Sequence, residues 1–337
     1  MATIEDVAKL AGLSRTTVSR VINDQPYVTE EKKQRIIQAM NDLGYVPNSS
    51  ARRLRSQRTE TIAVLLPRIT NPFFGNLIES MEEKASEWGY QVIVCQTHDS
   101  EKKEMDYLQL LKTKQVDGVI MASIINNWDD VEPYLESGPI VVCNEYMEGT
   151  PVPTVHMDHK KASYEATLHL MEQGCNHIAY VSGGPNSHLT SQRRKGFEEA
   201  LKDKGTTKIE DLNIDWALDV KDGQKVFHFI KENHPYIDGV FTGSDEVAAG
   251  IIYEASQNDW EIPHDLAVVG FDNQMISLLM VPSVTTVEQP VKQMANKAVE
   301  ILLQQLLHPG THYPREYVFD HELLIRNSTK RRKLSVH

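Results

Sequence analysis

From Thr61 onward, short apolar runs alternate with amphipathic stretches of helical period. Strands without a polar side cannot lie at a surface, so this alternation demands parallel sheets covered by helices on both faces. Strands are expected at Ile62–Leu66, Tyr90–Cys95, Gly118–Ala122, Pro139–Cys143, Ile178–Ser182, Gly239–Thr242 and Leu266–Phe271. Between them, helices are expected at Phe73–Trp88, Glu101–Lys114, Lys160–Gln173, Thr190–Lys204 and Glu246–Asn258. Gly89, Gly174 and Gly205 follow three of these helices, where a C-terminal cap favours a left-handed residue. The stretch is too long for one sheet of this kind, which points to two subdomains with a cleft between them. A late helix over Pro290–Leu307 and strands near Val318 and Leu323 are expected to return onto earlier elements.

The first 22 residues obey a different rule. Thr3 can cap a short helix, with Asp6 reaching back to its N-terminus. Val7, Ala8 and Ala11 form a narrow apolar face, and small Ala8 leaves room for a close neighbour. Gly12 ends the helix, Leu13 plugs the turn, and Ser14 caps a second helix whose Val18, Val21 and Ile22 face inward. Thr29 is expected to cap a third helix, with Ile36, Ile37, Met40 and Leu43 inside and Gly44 closing it. The outward residues of the second helix are Arg15, Thr16, Ser19 and Arg20, hydrogen-bonding groups placed where a helix-turn-helix reads base edges. The structural alternative is a small solvated helical bundle.

Charge agrees with a division of labour. Through Arg58, ten bases stand against six acids, a local +4 that leaves −16 of the net −12 to the remainder. A basic head on an acidic body suits a chain that meets phosphate at one end only. Cys95, Cys143 and Cys175 are far apart, form no CxxC pair and sit in or beside apolar runs, so buried reduced thiols are expected. No N-terminal apolar stretch resembles a signal peptide and no segment approaches a membrane span, so a cytoplasmic protein is expected.

In open α/β sheets, ligands bind beyond the C-terminal ends of strands. There the chain places Thr70-Asn-Pro-Phe-Phe74, Asn144-Glu145, Gly243-Ser-Asp-Glu246 and Gly270-Phe-Asp-Asn273, with Arg193 and Trp216 nearby. Planar aromatics together with fixed Arg and Asp groups suit a sugar or similar polyol. Each has a structural alternative: an Asp after a strand can cap a helix, and Phe73 or Phe74 can be core.

The run Thr3–Asn23 resembles the opening of the lactose-repressor/galactose-repressor (LacI/GalR) regulators. Val28–Ile36, Leu43–Asn48 and Ala51–Arg55 continue the match, which extends to about Arg326. The resemblance implies an all-α helix-turn-helix headpiece over 1–48, a hinge helix or linker over 49–60, and a periplasmic-binding-protein-like α/β core over 61–326. That core would have an N-subdomain of 61–157 and 286–316 and a C-subdomain of 158–284 and 317–326, with crossings near 158, 285 and 317. A basic tail over 327–337 would follow. Implied DNA contacts are Thr3, Ser14, Arg15, Thr16, Thr17, Ser19, Arg20, Asn23 and Tyr27, then Ala51, Arg52, Leu54 and Arg55 in the hinge. In the family a hinge leucine wedges into a minor-groove step, which here falls on Leu54; by composition alone the segment reads equally as a solvated linker. Family ligand positions map onto Phe73, Phe74, Arg193, Ser244 and Asp272, with Asn71, Glu145, Trp216 and Asp245 nearby; Ser244 stands where family members often have Asn.

Asp106–Gly118, Asn127-Trp128 and Gly138–Val141 are similar to the catabolite-control branch, where a phosphorylated phosphocarrier protein can act through an arginine-rich segment after Phe-Asp-Asn. Here Gln274–Val281 contains no arginine, so a small molecule is expected as effector and a phosphocarrier partner is disfavoured. The expectation is a homodimeric repressor that binds a palindromic double-stranded DNA operator under control of a sugar-like effector in the interlobe cleft. The alternative is a sugar-binding or sugar-processing protein with a helical head that ignores DNA. The missing signal peptide disfavours a transport receptor, and the lack of GxSxG, HExxH or a nucleophile paired with a base disfavours an enzyme. No catalytic residue, metal ligand or cofactor is expected. His156-Met-Asp-His159 reads as a surface polar turn, Ser182-Gly-Gly-Pro185 as a turn over the cleft, and Lys330–Lys333 as a solvated terminus without the leucine heptads of a tetramer-forming zipper.

Overall fold

The computed structural model describes residues 2–23, 25–46, 58–146, 149–184, 187–203 and 212–330. The chain divides into two compact units, Met1–Thr59 and Glu60–His337.

The first unit contains α1 (Ile4–Ala11), α2 (Arg15–Ile22) and α3 (Glu30–Asp42). Thr3 and Asp6 form a reciprocal capping box: the Thr3 backbone N–H donates to the Asp6 carboxylate at 2.8 Å and the Asp6 N–H to the Thr3 hydroxyl at 3.3 Å. Gly12 takes the left-handed conformation at φ 65° that ends α1. Val7, Ala8, Ala11, Val18, Ile36 and Ala39 are buried together, with Leu13, Val21, Ile22 and Met40 packed against them. The inner stripe of α3 therefore runs through Ile36, Ala39 and Met40, while the expected Ile37 and Leu43 are exposed. Ile37 lies about 100° around the helix from Ile36, and Leu43 is already the C-terminal cap. Thr29 occupies the N-cap position but makes no side-chain cap bond. Arg35 donates to the Ala11 carbonyl at 2.7 Å and so satisfies the open end of α1.

The second unit holds two six-stranded sheets. In the first, β1 (Thr61–Leu66), β2 (Gln91–Gln96), β3 (Gly118–Met121), β4 (Ile140–Cys143), β5 (Thr154–Met157) and β11 (Glu316–Phe319) run parallel in the order β11-β5-β4-β3-β1-β2. In the second, β6 (Ile178–Val181), β7 (Leu212–Ile214), β8 (Gly239–Thr242), β9 (Ala267–Phe271), β10 (Thr285–Glu288) and β12 (Glu322–Leu324) follow the order β12-β10-β9-β8-β6-β7, with only β12 antiparallel.

The helices are α4 (Pro72–Glu87), α5 (Glu101–Lys112), α6 (Trp128–Val131), α7 (His159–Glu172), α8 (His188–Asp203), α9 (Val220–Asn233), α10 (Asp245–Gln257), α11 (Met275–Leu279) and α12 (Val291–Leu307). Strand alternation sorts side chains to two layers. Ile62, Val64 and Leu66 face α4 and α12, whereas Ala63 and Leu65 face α5. In the second sheet, Val240 and Val268 face α9 and α10, while Phe241, Val269 and Phe271 face α7 and α8.

β5, β7 and β10 escape the apolar-run criterion because Thr154, His156, Asn213, Thr285, Thr286 and Glu288 interrupt them. Two crossings also differ from expectation. Thr285–Glu288 pairs with β9 and β12, so residues 286–288 belong to the second sheet, and the chain returns only with α12. Glu316–Phe319 pairs with β5, so residues 317–319 belong to the first sheet, and the last crossing falls between Phe319 and Glu322. Among the described residues, no helix is long and apolar enough to cross a membrane.

Helices α9 and α10 touch through backbone. A Cβ on Gly250 would lie 2.1 Å from the Val220 carbonyl oxygen, and one on Gly223 2.2 Å from that of Val247. Gly75, in α4, has nothing within 4 Å of the same position. Gly250→Ala is therefore expected to destabilise the unit by about 1–3 kcal/mol through overpacking. Gly75→Ala should stabilise it by roughly 0.5–1 kcal/mol. Denaturant unfolding followed by circular dichroism measures both, and equal effects would refute the close approach.

Candidate functional site

On the first unit, α2 exposes Arg15, Thr16 and Arg20 on one face. Its N-terminus is set by Ser14, whose hydroxyl accepts from the Thr17 N–H at 3.2 Å and lies 2.9 Å from the Thr17 hydroxyl. Arg15 meets Glu5 at 3.2 Å in an exposed pair worth little in water, so its guanidinium is free to exchange partners. Ser19 and Asn23 are half-buried and bonded to each other. Tyr27 is almost fully exposed at a φ of 77°, a strained backbone for a bulky residue. Thr3 is held in its capping box. Ala51, Arg52, Leu54 and Arg55 lie outside the described residues.

In the second unit, residues that directly follow strands of both sheets line one cavity of about 710 Å³. Pro67 follows β1, Asn144 and Glu145 follow β4, Ser182 follows β6, Gly243 and Ser244 follow β8, Asp272 follows β9 and Gln289 follows β10. This is the crevice that parallel sheets create where their connections diverge. Asn71, Phe73 and Phe74 enter from the start of α4, where the Asn71 carboxamide oxygen accepts from the Phe73 N–H at 2.9 Å. The two rings meet edge to face at 5.1 Å; Phe73 is buried in the core and Phe74 is half-buried at the wall. Ser244 caps α10 through the Val247 N–H.

Arg193 is the buried cation of the cavity. Its guanidinium carbon stands 3.5 Å from the centre of the Phe271 ring, Nη1 donates to the Gly243 carbonyl at 3.0 Å, and Nε donates to His159 Nδ1 at 3.4 Å. His159 Nδ1 must then carry a lone pair, which leaves Nε2–H to donate to the Asn144 carbonyl at 3.1 Å. Burial, with the neighbouring Arg193 charge, holds His159 well below the usual imidazole range and so neutral. Burial also lowers Arg193, opposed by the Asp272 carboxylate. Asp272 is raised by burial, against Arg193 and the amides of Gln289 at 2.6 Å and Gln274 at 3.2 Å. Asn144 and Asp272 sit at φ 78° and 98°, left-handed turns that aim their side chains off the strand ends. Burial pushes Glu145 up to about 8, against the Ile124 N–H and the Ser187 hydroxyl and with the nearby Glu104 carboxylate adding to the rise.

Of the side chains expected here, Asn71, Phe73, Phe74, Glu145, Arg193, Ser244 and Asp272 come together. Trp216 does not: it is 42% exposed, and Ala217 and Leu218 line the wall instead. Asp245 is buried behind the wall, where it accepts from the Gln274 N–H at 2.6 Å and braces the turn that presents Asp272. Tyr180, Ser182, Asn144 and Gln289 also line the cavity. The position after a strand was the available signal for Gln289, hidden because β10 itself was not legible.

His156 and His159 are not a surface turn. Both are buried; His156 is bonded to Glu316 at 2.9 Å and His159 to the Arg193 system. Among the described residues no group of three or more His, Cys, Asp or Glu is placed to hold a metal ion. Cys95, Cys143 and Cys175 are buried free thiols.

Residues 3–48 match the model of bacterial regulatory proteins of the lacI family, and residues 59–326 that of periplasmic binding proteins and the sugar-binding domain of the LacI family. The NTD biosynthesis operon regulator NtdR of Bacillus subtilis is 39% identical, covering 98% of this chain and 100% of its own. The ribose operon repressor of Halalkalibacterium halodurans is 38% identical over 98% of each. Catabolite control protein A of Priestia megaterium is 31% identical over 97% of this chain and 99% of its own. Among solved structures, a Lactobacillus casei LacI-family regulator with bound glucose superposes with a TM-score of 0.73 at 33% identity, covering 80% of this chain and 99% of that one. With a helix-turn-helix matched in the first unit and the sugar-binding fold in the second, the chain belongs to the LacI family of bacterial transcriptional regulators.

Proposed function

We propose that this protein is a repressor that binds a palindromic operator as a homodimer, with a sugar or sugar derivative in the 710 Å³ cavity setting its affinity for DNA. The observation that carries the reading is the joining, in one chain, of an exposed donor face on α2 to a cavity where Arg193 and Asp272 stand beside Phe74. Arg15, Thr16 and Arg20 read base edges, and Arg52, Arg53 and Arg55 meet phosphate on either side of the Leu54 wedge. The effector acts by binding two lobe arrangements unequally, because only a difference in affinity shifts an equilibrium. The relatives' names and the glucose found in a similar fold support a saccharide.

A second copy of the chain covers the apolar row formed by Met275, Leu278, Leu279 and Val281, the last of which is 86% exposed. That row carries no cation, which favours a small molecule over a phosphocarrier as effector.

A gel shift against the chain's own upstream region tests the reading, and no retarded band at low salt would return the protein to the sugar-handling class. Arg20→Ala should cost on the order of 1–3 kcal/mol and relax preference at one base pair. A uniform loss across all sequences would reduce Arg20 to a phosphate contact. Asp272→Ala should remove the effector response while sparing operator binding, read by titrating effector into a fluorescent operator complex; an intact response would take Asp272 out of the site.

A further inference from the structure

Asp272 accepts a glutamine amide on each of its carboxylate oxygens, and the two glutamines stand in different places. Gln289 donates to Oδ1 at 2.6 Å, follows β10 in the same lobe and lines the cavity. Gln274 donates to Oδ2 at 3.2 Å and also to Asn71 Oδ1 at 3.3 Å, and Asn71 caps α4 in the other lobe. Gln274 is 2% exposed and lies behind the cavity wall rather than in it. The direction of its carboxamide is forced. Asn71 Oδ1 already accepts from the Phe73 N–H, and a carboxylate only accepts, so the Gln274 Nε2 with its two protons must face them. Gln274 Oε1 is then left buried without a partner. The backbone is held independently of the side chain. The Gln274 N–H donates to Asp245 at 2.6 Å, and its carbonyl accepts from the Ser277 N–H at 2.9 Å and the Ser277 hydroxyl at 2.7 Å.

Both acceptors of this strap line the cavity, and its donor does not. A saccharide that reaches Asn71 and Asp272 with its hydroxyls therefore competes for the strap's own partners. We propose that Gln274 is a positioning residue that ties the lobes across the crevice against the effector, and so sets the concentration at which the effector acts. This rests on the saccharide reading of the cavity and adds to it. The two bonds are long, so the opposition is modest, worth about three- to tenfold in an equilibrium constant. The strap can yield because release also frees Oε1 from burial without a partner. Where only a fraction of a protein has the binding arrangement, apparent affinity falls by that fraction, and removing the tie restores it. Gln289 plays the opposite part. Its bond stays within one lobe, where it aims Asp272 at the ligand and offers its own carboxamide beside it.

Isothermal titration of the full chain with glucose, galactose, ribose, sucrose and cellobiose tests the assignment through one substitution made at each of the two amides. Gln274→Met keeps the length of the side chain and removes its donors, and should tighten binding of the sugar that the protein takes by about three- to tenfold. Gln289→Met should weaken the same sugar by roughly tenfold. Gln274→Asn keeps the amide but falls one methylene short of Asn71, and should also tighten binding, so the test stands even where the Met variant does not fold. With a fluorescent operator complex, the half-response of the Gln274 variants should move to a correspondingly lower concentration of that sugar. A merely structural role for Gln274 does not yield tighter binding on loss of a polar contact. Unchanged or weaker binding in the folded Gln274 variants overturns the strap and leaves the saccharide reading standing. Binding of none of these sugars, by the wild type or any variant, overturns the saccharide reading and the strap's role with it.

Discussion

The Arg193 guanidinium is the point on which the ligand-facing half of the core depends. A cation removed from water must be given partners on every side, and those partners are then held in turn. Phe271 supplies a ring face, Gly243 a carbonyl, His159 a lone pair and Asp272 a counter-charge. They come from the ends of β8 and β9 and from the start of α7, so one side chain ties three elements of the second lobe into a fixed wall. The tautomer of His159 follows from the same contact, and with it the bond to Asn144 at the end of β4.

Each lobe is built on apolar clusters of its own sheet, and at the cavity polar contacts join the two. Asn144 to His159 is one, and the Gln274 amide donating to Asn71 at 3.3 Å is another. Hydrophobic packing within each lobe is costly to disturb, because close-packed interiors tolerate little displacement. Single hydrogen bonds across a wet crevice exchange with a ligand's hydroxyls at small net cost.

The headpiece meets the opposite demand with a very small core. Six buried residues cannot hold three short helices without help from their ends, and the capping box at Thr3, the left-handed Gly12 and the Arg35 bond to Ala11 supply it. Keeping the apolar face narrow leaves the remaining surface of α2 polar and exposed, as a reader of a hydrated groove must be.

Local chemistry made much of this legible. Continuous apolar runs such as Ile62–Leu66 can only be buried strands, and Thr3, Gly12 and Ser14 mark helix ends by their own hydrogen bonding and φ. Arg193, Asp272 and Phe74 could be placed near a ligand because strand ends in such sheets open on a crevice. What the sequence could not settle were matters of long-range pairing. Thr154–Met157 looks too polar for a buried strand until Thr154 donates to the Arg315 carbonyl and His156 bonds to Glu316. The same pairing moves the last crossing past Phe319. Trp216 and Asp245 carry the right chemistry for a ligand, yet one turns to solvent and the other braces a turn. Residue type and spacing determined the elements and their periodicity, because those depend on neighbours three or four positions away. Only the tertiary structure decided which strand-end side chains share one cavity, because that depends on the packing of distant segments: Asn71 and Gln274, joined across it, are 203 residues apart.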